Sequence, residues 1–395
     1  MYKQFSDRVS SLQPSAIREI LKFTADPEVI SFAAGNPAPE AFPVDVISKL
    51  SAEIFAEEPI NALQYSVTEG YAPLRARLES DLRRDGLFAD DDMLVITSGA
   101  QQAIEVTAKI LCNEGDVVIC EDPSFVGALN AFRSYGARLV GVPMDDEGMI
   151  PELLEKALRE NPRAKFIYTI PNFQNPTGKT TTIERRRAML DLAKKYGVYI
   201  LEDNPYGALR FAGEDITSIK QLDTDGHVLY LGTFSKTLAP GLRVGYLLGC
   251  GDIVRKAVVG LQTSTVHTNI WAQMLTYRFL ETVDFAKHLE HLRDIYRAKC
   301  ARMLNALKEG LPECIKLTEP QGGLFIWATL PDSADMNAFC KAAVQRKVAV
   351  VPGIAFCADE NAVSHSFRLN YSTPTDEQID EGVKILCETA RDFLK

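Results

Sequence analysis

The sequence lacks the features that mark several other classes of protein. Its eight cysteines are scattered without a C-x-x-C pair, and no apolar run approaches the roughly 20 residues of a membrane span. The net charge is −10, and no basic run is long enough to follow a nucleic acid backbone. We therefore expect reduced cysteines, a cytoplasmic location, and neither a membrane nor a nucleic-acid partner.

Histidine is also scarce, and the amino terminus is polar. Only His288 and His291, among five histidines, share one helical face, and no carboxylate motif completes a metal site there. We expect no bound metal. The first twelve residues contain Lys3, Asp7 and Arg8 without an apolar core, which argues against a secretory signal peptide.

From Met93 onward, apolar strand patterns alternate with helical patterns. This alternation predicts an α/β fold with a largely parallel sheet covered on both faces. A length of 395 residues favours two domains, with a long amphipathic helix from Glu281 to Gly310 leading into the second. The run Arg185–Arg187 is predicted to be a solvated helix face. The seven strand candidates begin at Met93, Val117, Arg138, Lys165, Val198, Val228 and Val244.

The stretch VLYLGTFSKTLAPGLRVGY, residues 228–246, carries the strongest chemical signal. A buried strand is followed by Thr233, Ser235, Lys236 and Arg243. A lysine in a dry pocket keeps part of its amine neutral, as a Schiff base with an aldehyde cofactor requires. Hydroxyls and a guanidinium suit a phosphate group. The alternative is a strand that ends in a solvated Lys–Arg loop.

Other strands are followed by polar or aromatic groups, and ligands of such sheets gather at those ends. The turn T-S-G-A-Q-Q at 97–102 opens a helix and forms either an anion site or a simple cap. Phe125 suits stacking on a flat ring or core packing. Asn175 lies in a rigid turn that suits an amide donor or an ordinary loop.

A carboxylate and an arginine complete this pattern. Asp203 follows a buried strand and needs a cationic partner, either a protonated ring nitrogen or a structural arginine. Tyr206 lies three residues on and suits donation to a ring hydroxyl oxygen. Arg368, in an alternating strand, suits a substrate carboxylate or an exposed sheet edge.

Together these motifs resemble the pyridoxal-phosphate aminotransferases of fold type I, class I/II, and most of all the branch of 2-aminoadipate and kynurenine aminotransferases. The resemblance covers nearly the full length. It implies a large, mixed, mostly parallel seven-stranded sheet domain (51–285), a smaller α+β domain (286–395) and an N-terminal segment (1–50) that packs with the smaller domain. The motifs are G-N-P at Gly35–Pro37, T-S-G-A-Q-Q at Thr97–Gln102, P-N-F-Q-N-P-T-G at Pro171–Gly178, E-D-N-P-Y at Glu202–Tyr206, S-K-T-L-A-P-G-L-R-V-G-Y at Ser235–Tyr246 and F-R-L-N at Phe367–Asn370.

The resemblance also implies the roles of single residues toward pyridoxal 5'-phosphate. Lys236 forms the Schiff base and then acts as the base in the 1,3-proton shift. Asp203 pairs with the pyridinium nitrogen, and Asn175 and Tyr206 hold the ring oxygen. Phe125 stacks on the ring, at a position where tyrosine is usual in this branch. The residues expected around the phosphate are Ser98, Gly99, Ala100, Gln101, Ser235 and Arg243, with Thr233 beside them.

For substrate and assembly, the resemblance implies that Arg368 and Asn175 bind the α-carboxylate, with Gly35 lining the same pocket. Arg18 matches an arginine that this branch uses on the distal carboxylate of glutamate or 2-aminoadipate, while a solvent-facing helix arginine stays the alternative. Tyr65 is expected to reach the phosphate of the neighbouring subunit in a homodimer with shared sites.

The expected function is therefore transfer of an amino group between an L-amino acid and a 2-oxo acid by a ping-pong mechanism. Two alternatives use the same scaffold: a β-lyase, and the aminotransferase-like body of a ligand-sensing transcription regulator. The residues do not name the physiological donor, the acceptor or the pathway.

Overall fold

A computed structural model of the chain describes Ser6, Asp26 and residues 28–395. Arg18 and the helix predicted at Pro14–Phe23 lie outside the described residues.

The main sheet contains all seven predicted strands and one more. Its order is β2-β9-β8-β7-β6-β3-β4-β5. The eighth strand is an edge pairing in which Met144 and Met149 lie opposite each other in antiparallel register. It has two residues, too few to produce a hydrophobic period in the sequence. The strands are β2 (Asp92–Thr97), β3 (Val117–Asp122), β4 (Arg138–Asp145), β5 (Gly148–Met149), β6 (Ala164–Thr169), β7 (Tyr199–Asp203), β8 (Val228–Thr233) and β9 (Gly245–Cys250).

The centre of this sheet is parallel, as predicted. Strands β4, β3, β6, β7 and β8 pair in parallel in that order. Strand β9 runs against both β8 and β2. Strands β2 and β8 therefore point the same way, and the carboxyl ends of β2, β3, β6, β7 and β8 meet at the edge where β9 begins.

Helices cover both faces of the sheet, and the connector helix predicted from Glu281 begins four residues later. The α-helices among the described residues are α1 (Val44–Glu57), α2 (Pro59–Leu63), α3 (Ala72–Arg84), α4 (Gly99–Leu111), α5 (Val126–Ser134), α6 (Pro151–Glu160), α7 (Ile183–Tyr196), α8 (Ile219–Leu222), α9 (Gly251–Thr265), α10 (Ile270–Thr282), α11 (Phe285–Gly310), α12 (Met336–Gln345) and α13 (Asp376–Phe393). In the part of the chain that the structure describes, none of them is both long and apolar enough to cross a membrane.

A second, four-stranded sheet is built from the carboxyl-terminal third of the chain. Its order is β10-β11-β14-β13, and α13 packs against α11 beside it. Two further short strands, β1 and β12, pair in parallel and bring the segment after residue 28 to this part of the molecule. The strands are β1 (Ile30–Ser31), β10 (Lys316–Leu317), β11 (Phe325–Thr329), β12 (Val348–Ala349), β13 (Val351–Pro352) and β14 (Ser366–Asn370).

The interpretation of Arg185–Arg187 as a solvated face is wrong for its central residue. Arg187 is exposed, but Arg186 is fully buried. Its guanidinium donates to the carbonyl oxygens of Thr181, Ile216, Thr217 and Pro171 and to Oδ1 of Asn172, at 2.7–3.2 Å. These five bonds replace the water that a buried cation loses.

Candidate active site

A cavity of about 330 Å³ opens at the carboxyl edge of the main sheet. Five strands end there and β9 begins there, so residues far apart in sequence converge on it. Ser98 and Gly99 do not line the cavity, but both lie against Arg243, which does. The predicted residues that line the cavity are Gly35, Ala100, Gln101, Phe125, Asn175, Asp203, Tyr206, Thr233, Ser235, Lys236, Arg243 and Arg368.

Lys236 lies just after β8 with its amine in this cavity. Its Nζ donates a hydrogen bond of 2.6 Å to the carbonyl oxygen of Gly35. Burial, together with the positive charges of Arg368 and Arg243, lowers the pKa of Lys236 to about 8. Part of the amine is therefore neutral at neutral pH, which a nucleophilic lysine requires.

Asp203 ends β7 with one oxygen paired and one without a partner. Its carboxylate is 2% exposed, and Oδ2 accepts a hydrogen bond of 2.8 Å from the hydroxyl of Tyr168. Oδ1 is buried and has no hydrogen-bond partner. Burial raises the pKa of Asp203 to about 7. No arginine is bonded to this carboxylate among the described residues, so the structural Asp–Arg pair is not what the structure shows.

Five residues predicted to surround the phosphate lie where the ends of β2 and β8 meet the start of β9. We call them the phosphate cup: Ser98, Gly99, Thr233, Ser235 and Arg243. Arg243 donates to the carbonyl oxygen of Ser98 at 3.0 Å and to Oγ of Ser235 at 3.3 Å. Ser235 N donates to Oγ1 of Thr233 at 3.1 Å. Gly99 has φ +70°, and a Cβ there would lie 2.3 Å from Nη2 of Arg243. The cup thus combines hydroxyls, a guanidinium and a helix start, all of which favour an anion.

Arg368 approaches the same cavity from β14 of the second sheet. It is 2% exposed, and its guanidinium donates to Oδ1 of Asn175 and to the carbonyl oxygen of Ala33, each at 2.8 Å. The rings of Phe325 and Phe356 lie 4.2 and 4.9 Å from its centre. Its Nε is buried and has no partner. A buried arginine with a spare donor is suited to a carboxylate ligand.

Asn175 and Tyr206 line the same cavity as Lys236 and Arg368. Both residues are buried. The Tyr206 ring packs edge-on against Phe325, with centroids 5.9 Å apart. Burial raises the pKa of Tyr206, so its hydroxyl keeps its proton.

Two residues that support this site were missed by the sequence analysis. Tyr168 lies in a strand that is buried on both faces, so alternation does not reveal which side chain faces Asp203. Arg186 holds the loop that carries Asn175, through Pro171 and Asn172. A signal for it existed: on α7, Arg186 shares the spacing of the buried residues Met189, Leu190 and Ala193.

Tyr65 stands apart from the cavity. It is 82% exposed and packs edge-on against His267, with ring centroids 6.0 Å apart. It does not belong to the cavity lining given above. Its predicted role concerns the neighbouring subunit and stays a prediction.

The residues present fit pyridoxal phosphate. The buried, unpaired Oδ1 of Asp203 needs a donor, which a protonated ring nitrogen provides. Lys236 offers a partly neutral amine to an aldehyde, and the phosphate cup offers donors to an anion. These three groups border one cavity, as a ligand with those three functions requires.

Comparison with known proteins agrees with this geometry. The family model described as aminotransferase class I and II matches residues 27–386, so the chain belongs to that family. It is 40% identical to aromatic-amino-acid aminotransferase 1 of Thermococcus litoralis, over 100% of this chain and 95% of that protein. It is 38% identical to the 2-aminoadipate transaminase of Thermus thermophilus, over 99% of this chain and 97% of that protein.

A solved structure shows the same fold. The kynurenine aminotransferase of Pyrococcus horikoshii superposes with a TM-score of 0.95 at 40% identity, covering 99% of this chain and 98% of that one. The chain is therefore a pyridoxal-phosphate-dependent aminotransferase of fold type I, which moves an amino group between amino acids and 2-oxo acids.

Proposed function

We propose that Lys236, Asp203 and Arg368 carry the transamination in this chain. The observation that supports this most is that the lysine amine, the unpaired carboxylate oxygen and the arginine with a spare donor all border one cavity. When bound, pyridoxal phosphate supplies an aldehyde that takes up amino groups and a ring that accepts the electron pair left by a departing α-proton.

The chain's own residues then have separate tasks. Lys236 would hold the aldehyde, and its amine, when free, would accept the α-proton of the substrate and donate a proton in return. Asp203 keeps the ring nitrogen protonated, because an ionised carboxylate beside it favours the charged form. Asn175 and Tyr206 would hold the ring oxygen, Phe125 would stack on the ring, and the cup would bind the phosphate, with Ala100 and Gln101 beside it.

The substrate orientation follows from the position of Arg368. Its guanidinium, with Asn175 and the backbone near Gly35, binds the α-carboxylate and points the α-carbon toward Lys236. We propose glutamate, 2-aminoadipate or an aromatic or aliphatic amino acid as donor; of these, 2-aminoadipate and the aromatic amino acids occur in the names of two relatives. For the two acidic donors, we propose that Arg18 binds the distal carboxylate.

We also propose a homodimer with shared sites. Arg243 of the phosphate cup and the neighbouring Gln101 are exposed, and so is Tyr65. Exposed apolar side chains at Ile60 and Leu63 lie close to Tyr65 in sequence and suit a covered face. A partner that covers this face would bring its Tyr65 to the cup.

We also propose a domain division and a cellular location for the protein. The main sheet spans residues 92–250 and the second sheet spans 316–370, which supports domains at 51–285 and 286–395 with a segment 1–50 before them. The eight cysteines are all free thiols, which fits a reducing, cytoplasmic location.

The first experiment records the visible spectrum of the protein with pyridoxal phosphate, before and after L-glutamate is added alone. We expect the band of the lysine-bound cofactor to be replaced by that of the aminated cofactor, and a 2-oxo acid to reverse the change. In Lys236→Ala the amino transfer should slow by about 10²–10⁴-fold, since a general base contributes that much. A Lys236→Ala protein that transfers amino groups at the wild-type rate would refute the assignment.

A second experiment addresses the donor. Arg18→Ala should raise KM for glutamate much more than KM for leucine, because only glutamate has a distal carboxylate. Equal changes for the two donors would remove Arg18 from the substrate site and leave the roles of Lys236 and Arg368 untouched.

A further inference from the structure

Tyr168 lies behind Asp203, outside the cavity. It belongs to β6, opposite Leu201 of β7 on one side and Cys120 of β3 on the other. Its side chain is fully buried and packs edge-on against Phe132, with ring centroids 5.4 Å apart. The hydroxyl is therefore held in place by the strand and by the ring beneath it, and it ends 2.8 Å from Oδ2 of Asp203.

This hydrogen bond has one direction only. Burial and the nearby Asp203 carboxylate raise the pKa of Tyr168 far above its ordinary value, so the phenol stays protonated and donates. Asp203 accepts with Oδ2, which prevents the carboxylate from rotating freely. Its other oxygen, Oδ1, is then the one left without a partner.

We propose that Tyr168 is a positioning residue of the aminotransferase site, whose hydroxyl favours the ionised form of Asp203 and keeps its carboxylate turned with Oδ1 free for the cofactor's ring nitrogen. This inference rests on the proposed role of Asp203. A hydrogen bond to the charged form of a carboxyl favours that form, and here it is the only hydrogen bond that the described residues give to this buried carboxylate.

Other ionisable groups near Asp203 do not replace this bond. Glu121 raises the pKa of Asp203, in the opposite sense to Tyr168. Tyr206 and Tyr230 have pKa values raised by burial and stay neutral. Among the described residues, the ionisable groups that face Asp203 or share its cavity are Glu121 on β3, Tyr168 on β6, Tyr206 after β7, Tyr230 on β8, Lys236 after β8, Arg243 before β9 and Arg368 on β14.

The test is the affinity of the cofactor-free protein for pyridoxal phosphate as a function of pH, in the wild type and in Tyr168→Phe. This variant keeps the ring on Phe132 and loses one oxygen atom. We expect the loss of affinity on acidification to begin about one to two pH units higher, because a hydrogen bond to a charged group is lost. The difference between the two affinities should shrink at alkaline pH, where Asp203 is ionised in both proteins. The ionisation of the cofactor phosphate is common to both proteins and cancels in the comparison.

The matched control is Tyr371→Phe, which loses the bond of a buried hydroxyl to the carbonyl oxygen of Gly322 and does not touch Asp203. We expect it to keep the wild-type pH profile. A Tyr168→Phe profile that coincides with the wild type would overturn the inference. Because 3-fluorotyrosine is a stronger donor, its incorporation at position 168 should move the profile to lower pH, and this test does not depend on Tyr168→Phe folding.

The variant Asp203→Asn tests the role of Asp203 separately from the role of Tyr168. We expect it to bind the cofactor weakly at every pH. An Asp203→Asn protein with wild-type affinity and turnover would overturn the proposed function itself. A weak Asp203→Asn beside an unchanged Tyr168→Phe would overturn only the role of Tyr168.

Discussion

Replacing Asp203 by asparagine should make the cofactor-free protein more stable at neutral pH. Burial raises the pKa of this carboxyl to about 7 from 3.8. The folded state therefore binds a proton at higher pH than the unfolded state. The contribution of Asp203 to the free energy of unfolding therefore falls as the pH rises from about 4 to 7, because the buried carboxyl must ionise. Above pH 7 this contribution is constant.

The expected size follows from that difference in pKa. One pH unit corresponds to about 1.4 kcal/mol, so ionising Asp203 in the folded protein costs about 4 kcal/mol above pH 7. Asparagine is similar in shape, still accepts a hydrogen bond from Tyr168, and does not titrate. The stability gained by Asp203→Asn should thus grow from near zero at pH 4 to a few kcal/mol at pH 8.

The assay is denaturant unfolding of cofactor-free protein at several pH values and one protein concentration, since dimerisation would add to stability. Asp116→Asn is the matched control. Asp116 is buried too, but hydrogen bonds from Asn113 and Arg163, and the charge of Lys165, outweigh burial and lower its pKa. Its ionised form stabilises the fold at neutral pH and this stabilisation is lost on acidification, so Asp116→Asn should be less stable at pH 8. A gain for Asp203→Asn that does not depend on pH would refute the reasoning.

Three further predictions concern the surrounding residues. Arg186→Met should lower the free energy of unfolding by about 3–5 kcal/mol, since five hydrogen bonds worth about 1 kcal/mol each are lost. Arg187 is exposed, so Arg187→Met should change that free energy by under about 0.5 kcal/mol in the same denaturation assay. Gly99→Ala should weaken pyridoxal phosphate binding about tenfold or more, because the added Cβ would meet Arg243 and the residue has a φ of +70°. A Cβ added at Gly241 would have no atom within 4 Å, so Gly241→Ala should bind normally in the same titration. Arg368→Lys should raise KM for the amino acid by about tenfold to a hundredfold in initial-rate measurements, because an ammonium does not reproduce the guanidinium fork; an unchanged KM would place the α-carboxylate elsewhere.

The strands and the polar groups at their ends were predictable because they are local features. Strand β8 is an apolar run, and Ser235 and Lys236 follow it directly, so the general rule for parallel sheets places them at one edge. The same rule placed Asp203 and Asn175 beside them. No long-range information was needed for these residues.

The features that the sequence did not predict depend on contacts that hydrophobic periodicity does not specify. Strand β6 is buried on both faces, so the sequence does not tell that Tyr168 faces Asp203. Strand β5 exists only through its two-residue pairing with β4. Arg186 belongs by its spacing to the buried stripe of α7, but three successive arginines suggested solvent, and its acceptors are backbone oxygens that no side-chain pattern reveals.

The pairing of β2 with β9 has a consequence for how the protein is made. Ser98 and Arg243, joined in the phosphate cup, are 145 residues apart in the chain. A growing polypeptide cannot complete the cup until the segment up to Cys250 has left the ribosome, and Arg368 follows much later. Any folding of the first half of the main sheet during synthesis therefore takes place without the cofactor, which can stabilise the protein only after the cup is complete.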